Sequence, residues 1–358
     1  MANIVHASDL HFGAKFDFLP VEKQRDAIAM QHSALEELIN FANDSQADVV
    51  LLAGDLFDSP LPDHGLSRRV FDTLSKCLCP VLISPGNHDH LCPGSPYFSQ
   101  TLPGNVTVFQ SRALTPHSIG SEIVVYGAAF ENTSASIRLT PPADREKINI
   151  LLLHSDLAAQ SGYNPLPLEE VRACGFDYIA AGHNHSFLGL KKTGGTFFAN
   201  TGSFCALAAN ETGKRGYLAG EIGKDRCALS FVTSGGLWIL DHSIDISQCF
   251  QNLQLCDELR NSLPQATGNV CLRLTFTGAR QFSYDGAALA HTLGERFFHY
   301  VFRDKSVAFS DVWTHLAEAG LLGETTRLYK QMYEAAPEKK KEQILKSAQY
   351  AVAALEYR

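Results

Sequence analysis

Five short groups of aspartate, asparagine and histidine, each at the predicted end of a strand, constrain this sequence more than any other feature. In chain order they are Asp9-Leu10-His11, Gly54-Asp55, Gly86-Asn87-His88-Asp89, His154 and Gly182-His183-Asn184-His185. Functional groups of α/β sheets gather at the carboxyl ends of strands, so we expect these side chains to meet at one edge of the fold. Oxygen and imidazole donors without cysteine suit borderline divalent metals such as Mn, Fe and Zn.

The first 240 residues alternate short β-type runs with turns and amphipathic helical runs, which predicts an α/β fold. The apolar run from Asp48 to Ala53 is typical of a central strand that is buried on both faces. Later strands are predicted at Val106–Gln110, Ile123–Ala128, Ile148–His154, Tyr178–Ala181, Thr196–Asn200, Tyr217–Ile222 and Ala228–Thr233. We expect the last three to form antiparallel hairpins, and the whole to form two stacked sheets between outer helices.

A small α/β module with a helical tail is predicted beyond Ser234-Gly235-Gly236, which has the composition of a flexible hinge. Val270–Thr277 alternates like a strand. Helices are predicted at Gln254–Leu263, Gly286–Val301, Asp311–Ala319, Glu324–Ala335 and Glu338–Tyr357. We therefore expect a catalytic domain at residues 1–240, a capping domain at 241–335 and a C-terminal helix at 336–358.

Composition excludes several classes of protein. The 358 residues are 45% hydrophobic and 19% charged, which is typical of a globular protein and too apolar for a disordered one. No apolar run approaches the ~18 residues of a membrane helix, and the N-terminus lacks the features of a signal peptide. The nine scattered cysteines include no Cys-x-x-Cys pair, so we expect reduced thiols and a cytoplasmic location. The net charge of -8 argues against binding nucleic acid by bulk basicity.

The spacing within the motifs has a physical reason. Side chains two residues apart on an extended segment point the same way, so Asp9 and His11 can bind one ion together. His183 and His185 can do the same, or they can divide between two ions about 3.5–4 Å apart. A carboxylate that bridges two such ions would offset their repulsion, and Asp55 is the candidate for this role.

Single histidines outside the motifs give weaker signals. His6 lies inside the first predicted strand, where we interpret it as a packed residue rather than a ligand. His90 follows the third motif, and it has two interpretations, a substrate contact or a solvated loop residue.

The five motifs, in this order, resemble those of the calcineurin-like metallophosphoesterase superfamily over roughly residues 3–205. The resemblance implies a four-layer αββα sandwich and two divalent ions, Mn²⁺ foremost, with Fe, Zn or Mg as alternatives. It implies that the first ion is held by Asp9, His11, Asp55 and His185. It implies that the second is held by Asp55, Asn87, His154 and His183. His88 would be the unliganded acid beside the phosphate, and Asp89 would support it.

Further segments are similar to the DNA repair exonuclease branch of that superfamily, the SbcD/YhaO-type nucleases. They are Asp9-Leu10-His11-Phe12-Gly13, Gly54-Asp55-Leu56-Phe57-Asp58, Thr201-Gly202-Ser203 and Gly320-Leu321-Leu322-Gly323-Glu324. The C-terminal module resembles the capping domain of these nucleases. This resemblance implies DNA as substrate, with an SMC/ABC-type coiled-coil ATPase and a second copy of the chain, in a homodimer, as partners. No residue of this chain by itself identifies the ATPase.

The motifs and these resemblances together predict a two-metal phosphodiesterase acting on DNA, in which His88 stabilises the developing charge or protonates the leaving oxygen. A phosphatase or phosphodiesterase of nucleotides or other small phosphoesters would need the same metals and is the alternative. A scaffold that only keeps the fold is a third hypothesis, which the intact ligand set disfavours. For a DNA nuclease we expect the cap to form a wall beside the metal cleft, lined by Arg273, Arg280 and Arg303.

Overall fold

The protein divides into two compact units, Met1–Ile239 and Leu240–Arg358. The computed structural model describes residues 1–157, 163–265, 267–280, 282–294, 296–308 and 312–356. In this described part of the chain, no helix combines the length and the apolar character that crossing a bilayer requires. The functions expected for residues 1–240, 241–335 and 336–358 stay predictions.

The first unit contains two six-stranded sheets. Its strands are β1 (Ala2–Ala7), β2 (Val49–Leu52), β3 (Val81–Ile83), β4 (Val106–Val108), β5 (Thr115–Ile119), β6 (Ile123–Gly127), β7 (Ile148–His154), β8 (Tyr178–Gly182), β9 (Lys191–Thr193), β10 (Thr196–Asn200), β11 (Gly216–Ile222) and β12 (Cys227–Thr233). The first sheet has the order β12-β11-β1-β2-β3-β4, and the second has the order β5-β6-β7-β8-β10-β9. Its helices are α1 (Val21–Asp44), α2 (His64–Leu74), α3 (Pro96–Ser99) and α4 (Leu168–Ala173).

The two sheets stack face to face, with helices on the outer sides. Alternate residues of β2 show this directly: Val50 packs in the cluster shared with α1 and α2, whereas Val49 and Leu51 pack in the cluster between the sheets. On the far side, Leu151 of β7 packs in a third cluster with Val171 of α4. A strand inside such a stack is apolar on both faces, which explains the continuous apolar run. The predicted αββα sandwich is confirmed.

The prediction that the last three strands form antiparallel hairpins is wrong for β10. β11 and β12 do pair as an antiparallel hairpin, but β10 joins the second sheet, parallel to β8 and antiparallel to β9. Phe198 and Ala199 of β10 are buried in clusters on opposite faces of that sheet. A strand that is apolar on both faces buries the most apolar surface when it lies inside a sheet. The long segment from Thr201 to Arg215 allows the chain to cross from the second sheet to the first.

The predicted hinge is packed rather than exposed. Ser234 is 4% exposed, and its hydroxyl donates to the carbonyl of Phe204 over 2.7 Å. Its backbone N–H donates to the carbonyl of Arg215 over 2.9 Å. These bonds tie the segment to the first unit, so the composition of Ser234-Gly235-Gly236 reflects close packing.

The second unit is an α/β module with two small sheets, β13-β14-β16 and β15-β17. Its strands are β13 (Trp238–Asp245), β14 (Thr267–Thr277), β15 (Ala279–Arg280), β16 (Phe297–Asp304) and β17 (Val307–Ala308). Its helices are α5 (Asn252–Ser262), α6 (Gly286–Gly294), a 3₁₀ helix (Val312–Ala317), α7 (Leu321–Ala335) and α8 (Glu338–Glu356).

Two helix predictions in this unit need comment. The predicted helix Gly286–Val301 is wrong beyond Gly294, because Phe297–Asp304 forms β16, which pairs in parallel with β14. That segment is rich in aromatic residues, which favour strands. The predicted helix Asp311–Ala319 is a shorter 3₁₀ helix, and Asp311 and Tyr357 lie outside the described residues.

His6, interpreted from the sequence as a packed strand residue, is 0% exposed between the two sheets. Its Nε2 lies 3.2 Å from the carbonyl of Ala181 and must donate to it, so Nδ1 accepts from the hydroxyl of Tyr178 at 2.8 Å. The neutral ring satisfies both partners. Burial lowers the pKa of His6 from 6.5 to about 3, although the bond to Ala181 acts in the opposite direction.

This lowered pKa predicts an acid sensitivity. In the unfolded chain His6 takes up a proton below pH 6.5, whereas the folded protein resists this down to about pH 3. Stability from this residue is therefore complete above pH 6.5 and falls as the pH drops, by about 2 kcal/mol at pH 5. Urea unfolding of the wild type and of His6→Gln at pH 7 and pH 5 measures this loss of unfolding free energy. An equal loss in both proteins would contradict the prediction.

Candidate metal centre

The ends of strands from both sheets bring the five predicted motifs together. β1, β2 and β3 supply the first three motifs from one sheet, and β7 and β8 supply the histidines from the other. Four of these residues have left-handed backbone, with φ of 52° at Asp9, 49° at His11, 50° at Asp55 and 85° at His183. Such conformations are costly for residues with a side chain and cluster at functional sites. The backbone is thus held in unfavourable geometry at the motifs themselves.

Two glycines make the close approach of these side chains feasible. A Cβ at Gly54, whose φ is +87°, would lie 2.2 Å from Nδ1 of His154. A Cβ at Gly86 would lie 2.2 Å from Oδ1 of Asp55. Both positions therefore exclude any side chain.

Asp9, His11 and His185 form the first cluster of donors, with ligand atoms all within 4.8 Å of one another. The Nε2 atoms of His11 and His185 are 3.2 Å apart, and Nε2 of His185 is 4.0 Å from Oδ1 of Asp9. Both carboxylate oxygens of Asp9 also accept from the backbone N–H of His183, at 3.0 and 3.1 Å. The cluster combines one buried carboxylate with two ring nitrogens, a donor set that fits a borderline divalent cation.

The second cluster joins Asp9, Asp55 and His154, again within 4.8 Å. Nε2 of His154 is 2.9 Å from Oδ1 of Asn87 and 3.3 Å from Oδ2 of Asp55. Nδ1 of His183 lies 3.3 Å from the same oxygen of Asn87. The residues expected around the second ion are therefore neighbours.

Asp55 belongs to the second cluster and also faces His11 of the first. Its Oδ2 is 3.3 Å from Nε2 of His154 and 3.7 Å from Nε2 of His11. Its Oδ1 accepts from the backbone N–H of His88 at 2.9 Å. One carboxylate oxygen thus faces donors of both clusters, which is the position a bridging ligand would need.

The charges around Asp55 and His154 favour a bound cation. Burial alone would lower the pKa of His154, but the carboxylates of Asp55 and Asp9 outweigh it and raise that pKa to about 9. Burial alone would raise the pKa of Asp55, but His154 and His11 outweigh it and lower that pKa below its usual range. The buried carboxylates of Asp9 and Asp55 thus stabilise positive charge beside them, so this group of residues fits bound divalent ions.

The support expected for His88 from Asp89 stays a prediction, and the contacts of Asp89 include the loop that carries His88. Asp89 accepts from the backbone N–H groups of Gly86 and Leu56, at 2.7 and 2.8 Å, and from the hydroxyl of Tyr97 at 2.5 Å. The bond from Gly86 closes the turn after β3, and the other two tie this turn to the loop after β2 and to α3. The carboxylate therefore holds the loop that carries His88 and does not bond its ring.

The acidic neighbour of His88 is Asp58, to which the motifs assign no role. Oδ1 of Asp58 is 2.9 Å from Nδ1 of His11 and 3.6 Å from Nδ1 of His88. The His88 side chain is 45% exposed and meets His11 edge to face, with ring centroids 4.7 Å apart. His88 is therefore open to solvent, in contrast to the buried Asp9, Asp55 and His154. His90 turns back on its own loop, with Nδ1 at 3.0 Å from the carbonyl of Asn87.

Glu211 is a second acidic residue that the motifs did not reveal. Its Oε1 lies 2.7 Å from Nδ1 of His185. Burial alone would raise the pKa of Glu211, but hydrogen bonds from His185, Leu207 and Ser203 outweigh it and lower that pKa. The only available signal was its position eight residues after Ser203, the last residue of the quoted segment Thr201-Gly202-Ser203.

The exposed side of the site opens into a hollow of about 370 Å³. It is lined by residues that include His11, Lys15, Asp58, His88, His185 and Glu211. A larger hollow of about 730 Å³ lies along the second sheet and contains none of the motif residues. Of these two hollows, only the smaller one is lined by both carboxylates and histidine rings.

The arginines expected to line the cap are partly engaged within the second unit. Arg273 pairs with Asp241, and Nε of Arg280 lies 3.8 Å from the carboxylate of Asp304. Arg303 is exposed on β16.

Comparison with known proteins agrees with this geometry. A sequence model of the calcineurin-like phosphoesterases matches residues 2–187, a span that contains all nine predicted site residues. The chain is 26% identical to the uncharacterized metallophosphoesterase YhaO of Bacillus subtilis over 299 residues, covering 76% of this chain and 71% of YhaO.

Two further relatives have names that refer to DNA or nuclease function. The chain is 28% identical to the DNA double-strand break repair protein Mre11 of Saccharolobus solfataricus over 57% of this chain and 54% of Mre11. It is 34% identical to SbcD, a subunit of the nuclease SbcCD of Escherichia coli K12, over 24% of this chain and 21% of SbcD. The matches thus span about half of Mre11 and a fifth of SbcD. From the family match over half of its length and the donor clusters at its strand ends, the chain belongs to the calcineurin-like phosphoesterases.

Proposed function

We propose that this hydrolase is a two-metal phosphodiesterase that cleaves phosphodiester bonds of DNA, as a nuclease similar to DNA repair exonucleases, with Mn²⁺ as its metal. The observation that carries the proposal is Asp55, whose one carboxylate oxygen faces donors of two clusters. The DNA substrate is supported by the names of Mre11 and of the nuclease SbcCD.

Each side chain has a role in this proposal. The first ion would be held by Asp9, His11, Asp55 and His185. The second would be held by Asp55, Asn87, His154 and His183. When bound, two divalent ions neutralise phosphate charge and activate water near neutral pH.

His88 is the proposed acid. Its ring is exposed at the edge of the hollow, beside the clusters but with its Nδ1 toward Asp58. It can therefore approach the leaving oxygen of a bound phosphodiester and donate a proton to it. Asp58 would keep the ring turned toward the cleft, and Asp89 would hold the loop.

A small phosphoester is the alternative substrate, and the size of the hollow favours it. A volume of about 370 Å³ lies in the range of sites for small molecules. Cleavage of labelled single- and double-stranded DNA with Mn²⁺, beside bis-p-nitrophenyl phosphate and a phosphomonoester, separates the two hypotheses. Turnover of small phosphoesters without cleavage of either DNA would overturn the nuclease proposal.

We also propose partners and a location. SbcD is by name one subunit of the nuclease SbcCD, which supports a partner subunit for this chain. We propose that this partner is a coiled-coil ATPase of the SMC/ABC type, as the resemblance of the motifs implies. A homodimer and a cytoplasmic location belong to the same proposal, the latter supported by the odd number of scattered cysteines.

A protein that ends at Leu240 tests the role of the second unit. All nine site residues lie in Met1–Ile239, so we expect it to keep its hydrolysis of bis-p-nitrophenyl phosphate. We expect it to lose most cleavage of duplex DNA, because phosphate contacts position a long substrate. The salt dependence of cleavage should also fall, by a slope of about one for each lost contact. Equal cleavage of duplex DNA by both proteins would show that the cap does not guide the substrate.

A further inference from the structure

The outer ring nitrogen of His185 is bonded to a carboxylate that has no place in the motifs. Nδ1 of His185 lies 2.7 Å from Oε1 of Glu211, across 26 residues of sequence. The Glu211 side chain is 12% exposed and that of His185 is 31% exposed, so the bond is largely shielded from water. An ionised carboxylate only accepts hydrogen bonds, so Nδ1 of His185 carries the proton.

Glu211 is itself held in place. Its Oε2 accepts from the backbone N–H of Leu207 at 2.9 Å and from the hydroxyl of Ser203 at 3.0 Å. Nη1 of Arg215 donates to the same hydroxyl at 3.1 Å and also to the carbonyl of His185. The loop between β10 and β11 therefore forms hydrogen bonds with both the ring and the backbone carbonyl of His185.

This arrangement fixes the direction of the inner nitrogen. With the proton on Nδ1, Nε2 of His185 presents its lone pair to Nε2 of His11, only 3.2 Å away. His11 has the same pattern, because its Nδ1 lies 2.9 Å from the carboxylate of Asp58. Two facing lone pairs repel each other unless a proton or a cation lies between them.

The second cluster is built differently. Nδ1 of His154 bonds the backbone carbonyl of Ala53 at 3.1 Å, so among the described residues no carboxylate supports that ring from outside. A carboxylate on the outer nitrogen orients a metal-binding histidine and strengthens it as a ligand more than a neutral acceptor does. Glu211 therefore affects the binding of the first predicted ion, for which His185 is an expected ligand, and not of the ion near His154.

We propose that Glu211 is a positioning residue that orients His185 and strengthens it as a ligand for the divalent cation shared with Asp9 and His11. This inference rests on the proposed two-metal function. It predicts a selective effect, in which loss of Glu211 weakens one ion site and leaves the site around His154 intact.

The test is Mn²⁺ binding to the full chain, without DNA, after the protein has been stripped with a chelator. Titration calorimetry and competition with a fluorescent chelator give the affinities of the wild type, Glu211→Ala and Glu211→Gln. Glu211→Ala should weaken one site about 10- to 100-fold. Glu211→Gln keeps a neutral acceptor and should lose about tenfold or less. Glu221→Gln, an exposed glutamate of β11, is the matched control and should bind as the wild type does.

The melting temperature of the metal-free variants separates positioning from folding. Unchanged Mn²⁺ affinity in Glu211→Ala would overturn the inference, and so would equal weakening of both sites in step with a fall in melting temperature. If Glu211→Ala does not fold, Glu211→Gln is judged by the same criteria. A wild type that binds two ions but cleaves no DNA would overturn the nuclease proposal and leave this inference standing.

Discussion

Replacing Asp55 by asparagine should remove both divalent ions together and lower hydrolysis of bis-p-nitrophenyl phosphate by at least about 10³-fold. Oδ2 of Asp55 is the atom that faces both His154 and His11. An amide at this position carries no charge, so the atom that faces both His154 and His11 would no longer offset the repulsion between two cations, and Asp9 would be the one carboxylate left in the two clusters. Metal analysis after loading with Mn²⁺ and gel filtration measures the loss.

The control for this variant is Asp72→Asn, an exposed aspartate of α2 whose partner Arg68 is also at the surface. It should retain two ions and full activity. If Asp55→Asn kept one ion at full occupancy, Asp55 would serve a single site and the bridging role would be wrong. If it kept both, the assignment of the two clusters would fail.

The convergence of the predicted site residues could be anticipated because each of them lies at the end of a strand or in the loop that follows it. Residues at the carboxyl ends of neighbouring parallel strands meet once the sheet forms, so local patterns near Asp9, Asp55 and Asn87 suffice. The meeting with His154 and His183 further requires that the second sheet stacks on the first. Val49 and Val50 are buried in clusters on opposite faces of β2, as expected for a strand whose sheet is covered on both sides.

The acids that support the histidines could not be anticipated in this way. Asp58 reaches His11 across 47 residues, and Glu211 reaches His185 across 26, and both lie in loops rather than at strand ends. The path of a loop depends on backbone bonds such as those that Asp89 accepts, for which the sequence has no periodic pattern. Aspartate and glutamate in loops are also common as solvated residues, so Glu211 does not stand out, and Asp58 ends a quoted segment without any role assigned to it.

The wrong assignments have a related cause. β10 and β11 follow each other in the chain, and strands that are neighbours in sequence usually pair. β10 is instead buried on both faces beside β8 in the second sheet. In the second unit, the apolar residues after Gly294 suit a helix or a strand, and pairing with β14 decides for the strand. In both cases a tertiary contact overrides a local preference.

Replacing His88 by asparagine should leave both ions in place and lower turnover of DNA by about 10²- to 10⁴-fold. The ring is nearly half exposed, and its Nδ1 faces Asp58 rather than the buried donors, so its loss removes a proton donor and not a ligand of the two predicted ions. Asparagine at neutral pH cannot supply the proton that a departing alkoxide needs. Metal content and the rate of DNA cleavage, measured on the same preparation, check both halves of this expectation.

The identity of the leaving group gives a sharper test of the same role. p-Nitrophenolate leaves without a proton, so the defect of His88→Asn should shrink strongly on bis-p-nitrophenyl phosphate. His64→Asn, at the exposed start of α2, is a histidine control that should change neither rate. His11, Asp58 and His88 also lie close enough to hold an ion among themselves. Loss of metal from His88→Asn would therefore assign His88 as a ligand, and an equal defect on both substrates would remove it as the acid.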